Sequence, residues 1–278
     1  MAFKNILVHI DDGKACADRI QAAIALAQAH EAHLTGLYVA AEPSLLGDIG
    51  VEIPARTEFL AVLADQLAER TEATKSRFIG VVERAGLSAE CRWADWTGMG
   101  IAEVIGLHAR YTDLVVLGQP DENREPENHI AEDVVLSSGR PALVVPYIGA
   151  GKTMGERVMI AWDAGREAAR AVHDALPVLE RAKSVVVLVI NPRRGNHGAE
   201  PGADIALHLA RHGIKVQAQN TEVKDLSVAD ALLSRLADQG IDLLVMGAYG
   251  HSRLRELVFG GVTRQLFQQM TVPVLMSH

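Results

Sequence analysis

Near the end of the 278-residue chain, the stretch MGAYGHSRLRELVFGGVT (residues 246–263) sets Gly247 and Gly250 before a polar and basic run, and Gly260 and Gly261 after it. A glycine following a strand lets backbone N–H groups approach a ligand with no Cβ in the way, and takes a positive φ at little cost. The second pair opens the helical segment VTRQLFQQM, whose first turn presents unpaired N–H donors and the positive end of the helix dipole. Such a turn attracts phosphate. Hydrogen bonds to a charged acceptor contribute about 1.5 to 3 kcal/mol each, so three or four of them hold a triphosphate at roughly micromolar levels after the entropy of binding. Arg253 and Arg255 inside the run add charge-assisted donors, and Thr263 adds a hydroxyl. Any one of these glycines alone reads as a turn or helix-end glycine, and the arginines alone as solvated loop residues. The four glycines together point to an anion.

These groups need a frame that brings a strand end beside a helix start. Strand-sized apolar runs alternate with alanine-rich segments of helical period along the whole chain, the pattern of parallel sheets with crossover helices and so of an α/β fold. The two halves are copies. KNILVHIDDGKACADRIQAAIALA (4–27) lies over ERVMIAWDAGREAARAVHDALPVL (156–179), which puts Asp11 on Asp163 and Gly13 on Gly165. TDLVVLG (112–118) lies over IDLLVMG (241–247), and RPALVVP (140–146) over VPVLMSH (272–278). The first copy carries an insertion across much of residues 42–80, a Pro/Gly loop and then a long helix from near Thr57, with Phe59, Val62, Leu63, Leu67 and Ala73 as its apolar stripe. Each copy reads strand, helix, strand, variable segment, helix, strand, short strand, helix, strand. That gives two tandem, open, five-stranded parallel sheets of Rossmann-like type, divided near residue 150 where Pro146, Gly149, Gly151 and Gly155 interrupt both periods. In such sheets a ligand sits beyond the carboxyl ends of the first and fourth strands, where the strand order reverses. Asp163 ends one of these strands, and Met246 and Gly247 end the other. A lone unit leaves its final strand as an open edge, so PALVVPY (141–147) and VPVLM (272–276) are expected to pair with each other and make a pseudo-dimer inside one chain.

Gly-x2-Gly-x9-Gly followed by a small residue, with an acidic residue ending the first strand, resembles the universal stress protein family and its ATP-binding branch, and the resemblance covers both halves. It implies an adenine nucleotide alpha hydrolase-like fold with the nucleotide over the strand ends and its phosphates on the glycine loops. By that resemblance Asp163 meets the adenosine part, Ile190 lines the adenine pocket through its main chain, and Met246, Gly247 and Gly250 flank ribose and phosphate. Gly260, Gly261, Val262 and Thr263 form the second phosphate loop. The implied ligand is ATP or another adenine nucleotide, with or without Mg. The family usually places Ser or Thr directly after its third glycine; Gly261 stands there, so weakened rather than abolished binding is expected. The first copy departs further: LGQPDENREPENHIAEDVV keeps Gly118, has Asp121 where the second glycine would stand, and lacks the later pair. Its Asp121, Glu122, Glu125, Glu127, Glu132 and Asp133 repel phosphate. One nucleotide site is therefore expected, in residues 151–278, with residues 1–150 as a degenerate structural partner. Homodimerisation of whole chains is left open by the apolar face of the insertion helix.

Other chemistry fits less well. A net charge of −8 repels a nucleic-acid backbone. The longest wholly apolar run, residues 185–190, falls far short of the roughly 18 residues a bilayer span requires, and MAFKNILVHIDD lacks the features of a secretory signal, which implies a cytoplasmic protein. Cys16 and Cys91 are too few and too far apart for a disulfide framework. YIGAGKT has Pro146 where a phosphate loop needs its first glycine, and GHSRL has Leu254 where a nucleophile elbow needs its last. Asp204, His208 and His212 form a one-turn stripe that reads as an exposed helix face before it reads as a metal site. The functional expectation is a stress-response regulator that binds an adenine nucleotide. Its alternatives are a slow ATPase and a nucleotide-free interaction scaffold.

Overall fold

The computed structural model describes residues 2–40, 53–95, 100–120, 129–192, 199–248 and 261–278. The first half runs β1 (Asn5–Ile10), α1 (Cys16–His30), β2 (His33–Ala40), α2 (Ile53–Arg84), β3 (Ala89–Asp95), α3 (Ile101–Ala109), β4 (Leu114–Gly118), α4 (Ile130–Ser137) and β5 (Ala142–Val145). The second half repeats it as β6 (Arg157–Ala161), α5 (Arg166–Leu179), β7 (Ser184–Ile190), α6 (Ala203–Arg211), β8 (Val216–Thr221), α7 (Val228–Asp238), β9 (Leu243–Gly247), α8 (Gly261–Gln269) and β10 (Val274–Ser277). Two helices, α3 and α7, stand between the third and fourth strands, where the sequence reading has none. The long helix begins at Ile53 rather than near Thr57, with Pro54 in its first turn, where a missing N–H leaves no intrahelical bond unmade. Val62 and Ala73, taken as part of its apolar stripe, are exposed; Phe59, Leu63 and Leu67 lie outside the described side chains, and among those described Thr74, Phe78 and Val82 are buried, each about one turn apart.

All the strands join one ten-stranded sheet in the order β3-β2-β1-β4-β5-β10-β9-β6-β7-β8. Within each half the pairs are parallel, and the first strand lies beside the fourth: Ile6 faces Leu114 in register, and Ala161 faces Met246. The halves meet at an antiparallel seam in which Ala142, Leu143 and Val144 of β5 pair with Met276, Leu275 and Val274 of β10. The expected pairing of the final strands inside one chain is thus observed.

Helices cover both faces, which is why β4 and β9 read as unbroken apolar runs instead of alternating with polar residues. On one face, Ile6 and Val8 pack with residues of α1, α5 and the carboxyl half of α2. On the other, Leu7 and Val115 pack with residues of α3, α4, α7 and α8. Each of these cores draws from both halves. One carboxylate per half ties the base of the sheet: Asp113 accepts from the amides of Lys4 and Asn5, and its repeat counterpart Asp242 accepts from Gly155, Glu156 and Arg157. Gln119, just past β4, crosses the seam. Its amide nitrogen donates to the Phe267 carbonyl at 2.6 Å while its oxygen accepts from the Tyr147 amide at 2.9 Å.

At the end of α1, the His30 ring lies 4.9 Å from the Phe3 ring, is only 4% exposed, and its Nδ1 has no partner among the described residues. Burial, with the positive charges of Arg181 and Lys4 nearby, lowers its pKa to about 4. A histidine that titrates lower when folded adds stability that is complete above about pH 6.5 and fades as pH falls toward 4. Urea denaturation across that window is expected to show the wild-type protein losing roughly 2 to 3 kcal/mol, and His30→Leu to remove most of that slope.

Candidate functional site

In the second half, Asp163, Ile190, Met246 and Gly247 lie at or just past the carboxyl ends of the paired strands β6, β7 and β9. Because Ala161 pairs with both Leu188 and Met246, Asp163 emerges level with Ile190 on one side and close to Gly247 on the other. Asp163 is exposed, and its Oδ1 accepts from the Gly165 amide at 2.8 Å, closing a tight turn ahead of α5. Gly165, not Asp163, is the residue at the helix cap, and no side chain caps that end. Ala164 in this turn takes φ 60°, and Asn191, directly after Ile190, takes φ 52°. Left-handed backbone at an alanine costs on the order of 1 kcal/mol and persists where the surroundings require it. Ala164 follows the end of β6 and Asn191 the end of β7, two strands that pair in register. Asp12, which matches Ala164 in the repeat, is not among the positive-φ residues.

Gly247 is needed for a reason other than a positive φ. An ideal Cβ there would lie 2.5 Å from the Glu167 carbonyl carbon and 2.9 Å from the Glu167 Cβ, with the Ala168 nitrogen closer still. The missing side chain lets the first turn of α5, which no side chain caps, settle onto the end of β9. Gly261 is different: it is exposed at the first position of α8, and among the described residues nothing lies within 4 Å of where a Cβ would stand. Val262 is half-buried, Thr263 is only 4% exposed and Met246 only 7%, so Met246 has little beyond its main chain to offer the crevice. Gly250, Gly260, Arg253 and Arg255 lie outside the described residues. Further away, the His208 and His212 rings meet edge to face at 4.9 Å, and no cluster of three metal-ligating side chains occurs among the described residues.

The first half has the same turn with a different filling. Asp11 Oδ1 accepts from the Gly13 amide at 2.7 Å, as Asp163 does from Gly165. Its Oδ2, however, takes a hydrogen bond from Arg19 Nη2 at 2.7 Å, and this guanidinium is only 6% exposed. Burial by itself would raise the Asp11 pKa; the charge of Arg19, with His9 and the Gly13 amide, overrides it and brings it down to about 2. Arg19 Nη1 lies where a Cβ on Gly118 would need to be. In the repeat Arg19 matches Ala171, which is fully buried, so an arginine fills here the space that the second half leaves beside its aspartate. The cleft around it, about 820 Å3, is lined by Asp11, Lys14, Arg19, Gly118, Gln119 and Tyr147 among others. Glycine spacing gave no sign of Arg19. Its signal was a charge on the apolar stripe Cys16, Ile20, Ala23, Ala27 of α1.

Among the described residues, no helix is long and apolar enough to cross a membrane. Residues 2–96 and 154–278 match the universal stress protein family. Over 169 residues the chain is 28% identical to the universal stress protein Slr1230 of Synechocystis, an alignment covering 59% of this chain and 57% of that one. A shorter stretch of 58 residues is 31% identical to the universal stress protein MJ0577 of Methanocaldococcus jannaschii, covering 19% of this chain and 36% of that protein. The chain thus spans little more than half the length of the first of these relatives and about a third of the second. A universal stress protein of Archaeoglobus fulgidus has the same fold across 98% of this chain and 95% of its own, with a TM-score of 0.75 at 15% identity. With matches in both of its halves, a repeated five-stranded unit and a shared fold, this chain belongs to the universal stress protein family.

Proposed function

We propose that this protein is a stress-response regulator that holds one adenine nucleotide, ATP in the first place, over the strand ends of its second half. Occupancy of that crevice, rather than fast chemistry, is its output. What supports this reading is that an α5 start without a side-chain cap, an exposed Gly261 at the α8 start, and two left-handed residues, Ala164 and Asn191, all follow strands of the second half. The two helix starts supply donors and positive dipole ends for the phosphates. Asp163 supplies a carboxylate for a ribose or adenine donor, and the end of β7 at Ile190 supplies an apolar wall and main-chain groups. The residues present fit such a ligand in the second half. In the first half the equivalent carboxylate is already neutralised by Arg19.

Calorimetric titration of the full chain with ATP and with ADP, each with and without Mg, is expected to give one site per chain with a micromolar Kd. Gly261→Glu places a carboxylate at a helix start where a Cβ meets nothing among the described residues, so it is expected to fold as the wild type does. It is expected to weaken ATP at least about tenfold through charge repulsion while leaving the thermal melt unchanged. Absence of binding at millimolar nucleotide, or two equivalent sites per chain, overturns the reading.

A further inference from the structure

We propose that two copies of this chain join through the outer edge of β3, in antiparallel register about Cys91, so that the sheet of one molecule continues into the next. In the ten-stranded order β3 is terminal, and among the described residues it is paired on one side only, by β2. Natural sheets blunt such edges with lysine, proline, a bulge or repelling charge. The seven residues Ala89–Asp95 contain no lysine, proline or glycine. Helix α2 does not sit on this edge: its Phe78 lies against Gly36 of β2, one strand in from the Cys91 that pairs with Gly36. Trp93 shares a face of β3 with Cys91 and is 53% exposed. A tryptophan held in water on an unpaired strand is the kind of anchor that protein interfaces bury.

The charges choose both the partner and the register. Glu90 and Arg92 lie on the other face, where Arg92 Nε donates to Glu90 Oε1 and Nη2 to Oε2, each at 3.0 Å. A two-fold axis that extends a sheet past its edge stands perpendicular to it, so one residue meets its own copy and each face continues as the same face. Centred on Cys91, the pairing sets Glu90 opposite the partner's Arg92 and Arg92 opposite the partner's Glu90. The two ion pairs then close into a ring of four alternating charges. Centring on Glu90 or Arg92 instead sets like charges face to face, which destabilises a strand pair. On the Cys91 face the same register lays Trp93 opposite the partner's Ala89, a large side chain over a small one. The other terminal strand, β8, reads VQAQNT and has no charge with which to choose a register.

Sedimentation equilibrium of the full chain, across roughly 1 to 200 µM, is expected to show a reversible monomer–dimer equilibrium. Arg92→Glu and Glu90→Arg each replace attraction across the edge with repulsion, and each is expected to raise the dimer dissociation constant at least about tenfold. Both side chains are well exposed, so each variant is expected to melt as a folded monomer. An equimolar mixture of the two variants separates this interface from any structural damage. One chain then brings two acids to the ring and the other two arginines, and a one-to-one heterodimer is expected to form with the affinity of the wild-type pair. A chain that had only lost its fold would not recover a partner on mixing. A wild type that stays monomeric throughout, a dimer that either variant leaves intact, or a mixture that does not associate overturns the proposal.

Discussion

Gly247→Val is expected to leave no stably folded protein. The atoms that a side chain at this position would meet are backbone atoms of α5, which cannot rotate aside as the tip of a side chain can. Relief requires the helix to lift from the sheet, and with it the buried Ala168, Ala171, Val172 and Ala175 that fill the core beneath. Overpacking in a core costs about 1 to 3 kcal/mol where side chains can adjust. Against fixed backbone, the alanine variant alone is placed at about 3 kcal/mol, and the branched valine beyond the roughly 5 to 15 kcal/mol that a domain has to lose. Soluble yield, far-ultraviolet circular dichroism and thermal melting measure it. Gly118→Ala is the internal comparison, because it meets the end of the Arg19 side chain, and its cost is expected near 1 kcal/mol. A Gly247→Val protein that melts with the wild type would show that α5 does not rest on β9.

Arg19→Ala is expected to destabilise the protein by about 3 to 5 kcal/mol at pH 7, because it strands the Asp11 carboxylate at a site that is mostly buried. Replacing both partners, as Asp11→Asn with Arg19→Met, is expected to regain most of the loss, since a pair removed together leaves no unmatched charge. The pH dependence separates this from simple loss of packing. With Asp11 at about 2 in the folded chain and 3.8 as its ordinary value, the pair contributes stability that is fully present above about pH 4 and is lost as pH falls toward 2. Urea denaturation of the wild type is expected to show this loss as about 2 kcal/mol, and Arg19→Ala to lack it.

The architecture was legible because the chain states it twice. A match between residues 4–27 and 156–179 reports a repeated fold without any knowledge of side-chain contacts, and the seam followed from the need to cover the edges of β5 and β10. The juxtaposition of Asp163 with Gly247 was legible for the same reason: strand order in a doubly wound sheet determines which strand ends are neighbours. Helix α3 was not, because Ala102, Gly106 and Leu107 fill the positions between the buried Ile101, Val104, Ile105 and Ala109, and a short segment apolar on most sides blurs its own helical period. Helix α7 carried a readable start, the Ser227 hydroxyl accepting from the Asp230 amide, between two strands where the sequence reading places no helix. The reason for Gly247 was hidden as well. Spacing shows that a glycine is present, whereas the contact requiring it lies on a helix some eighty positions earlier in the chain. Arg19 depended on two partners, Asp11 and Gly118, that only the folded chain brings together.

The antiparallel seam has one more effect. Pairing β5 against β10 turns the halves head to tail, so the strand ends of one half open at the pole opposite those of the other. Two identical subunits joined this way must mutate together: any change that erases a ligand loop erases both. Tandem duplication within one polypeptide removes that bond between the twins. It leaves one pole free to carry acids and an internal arginine where the other carries glycines.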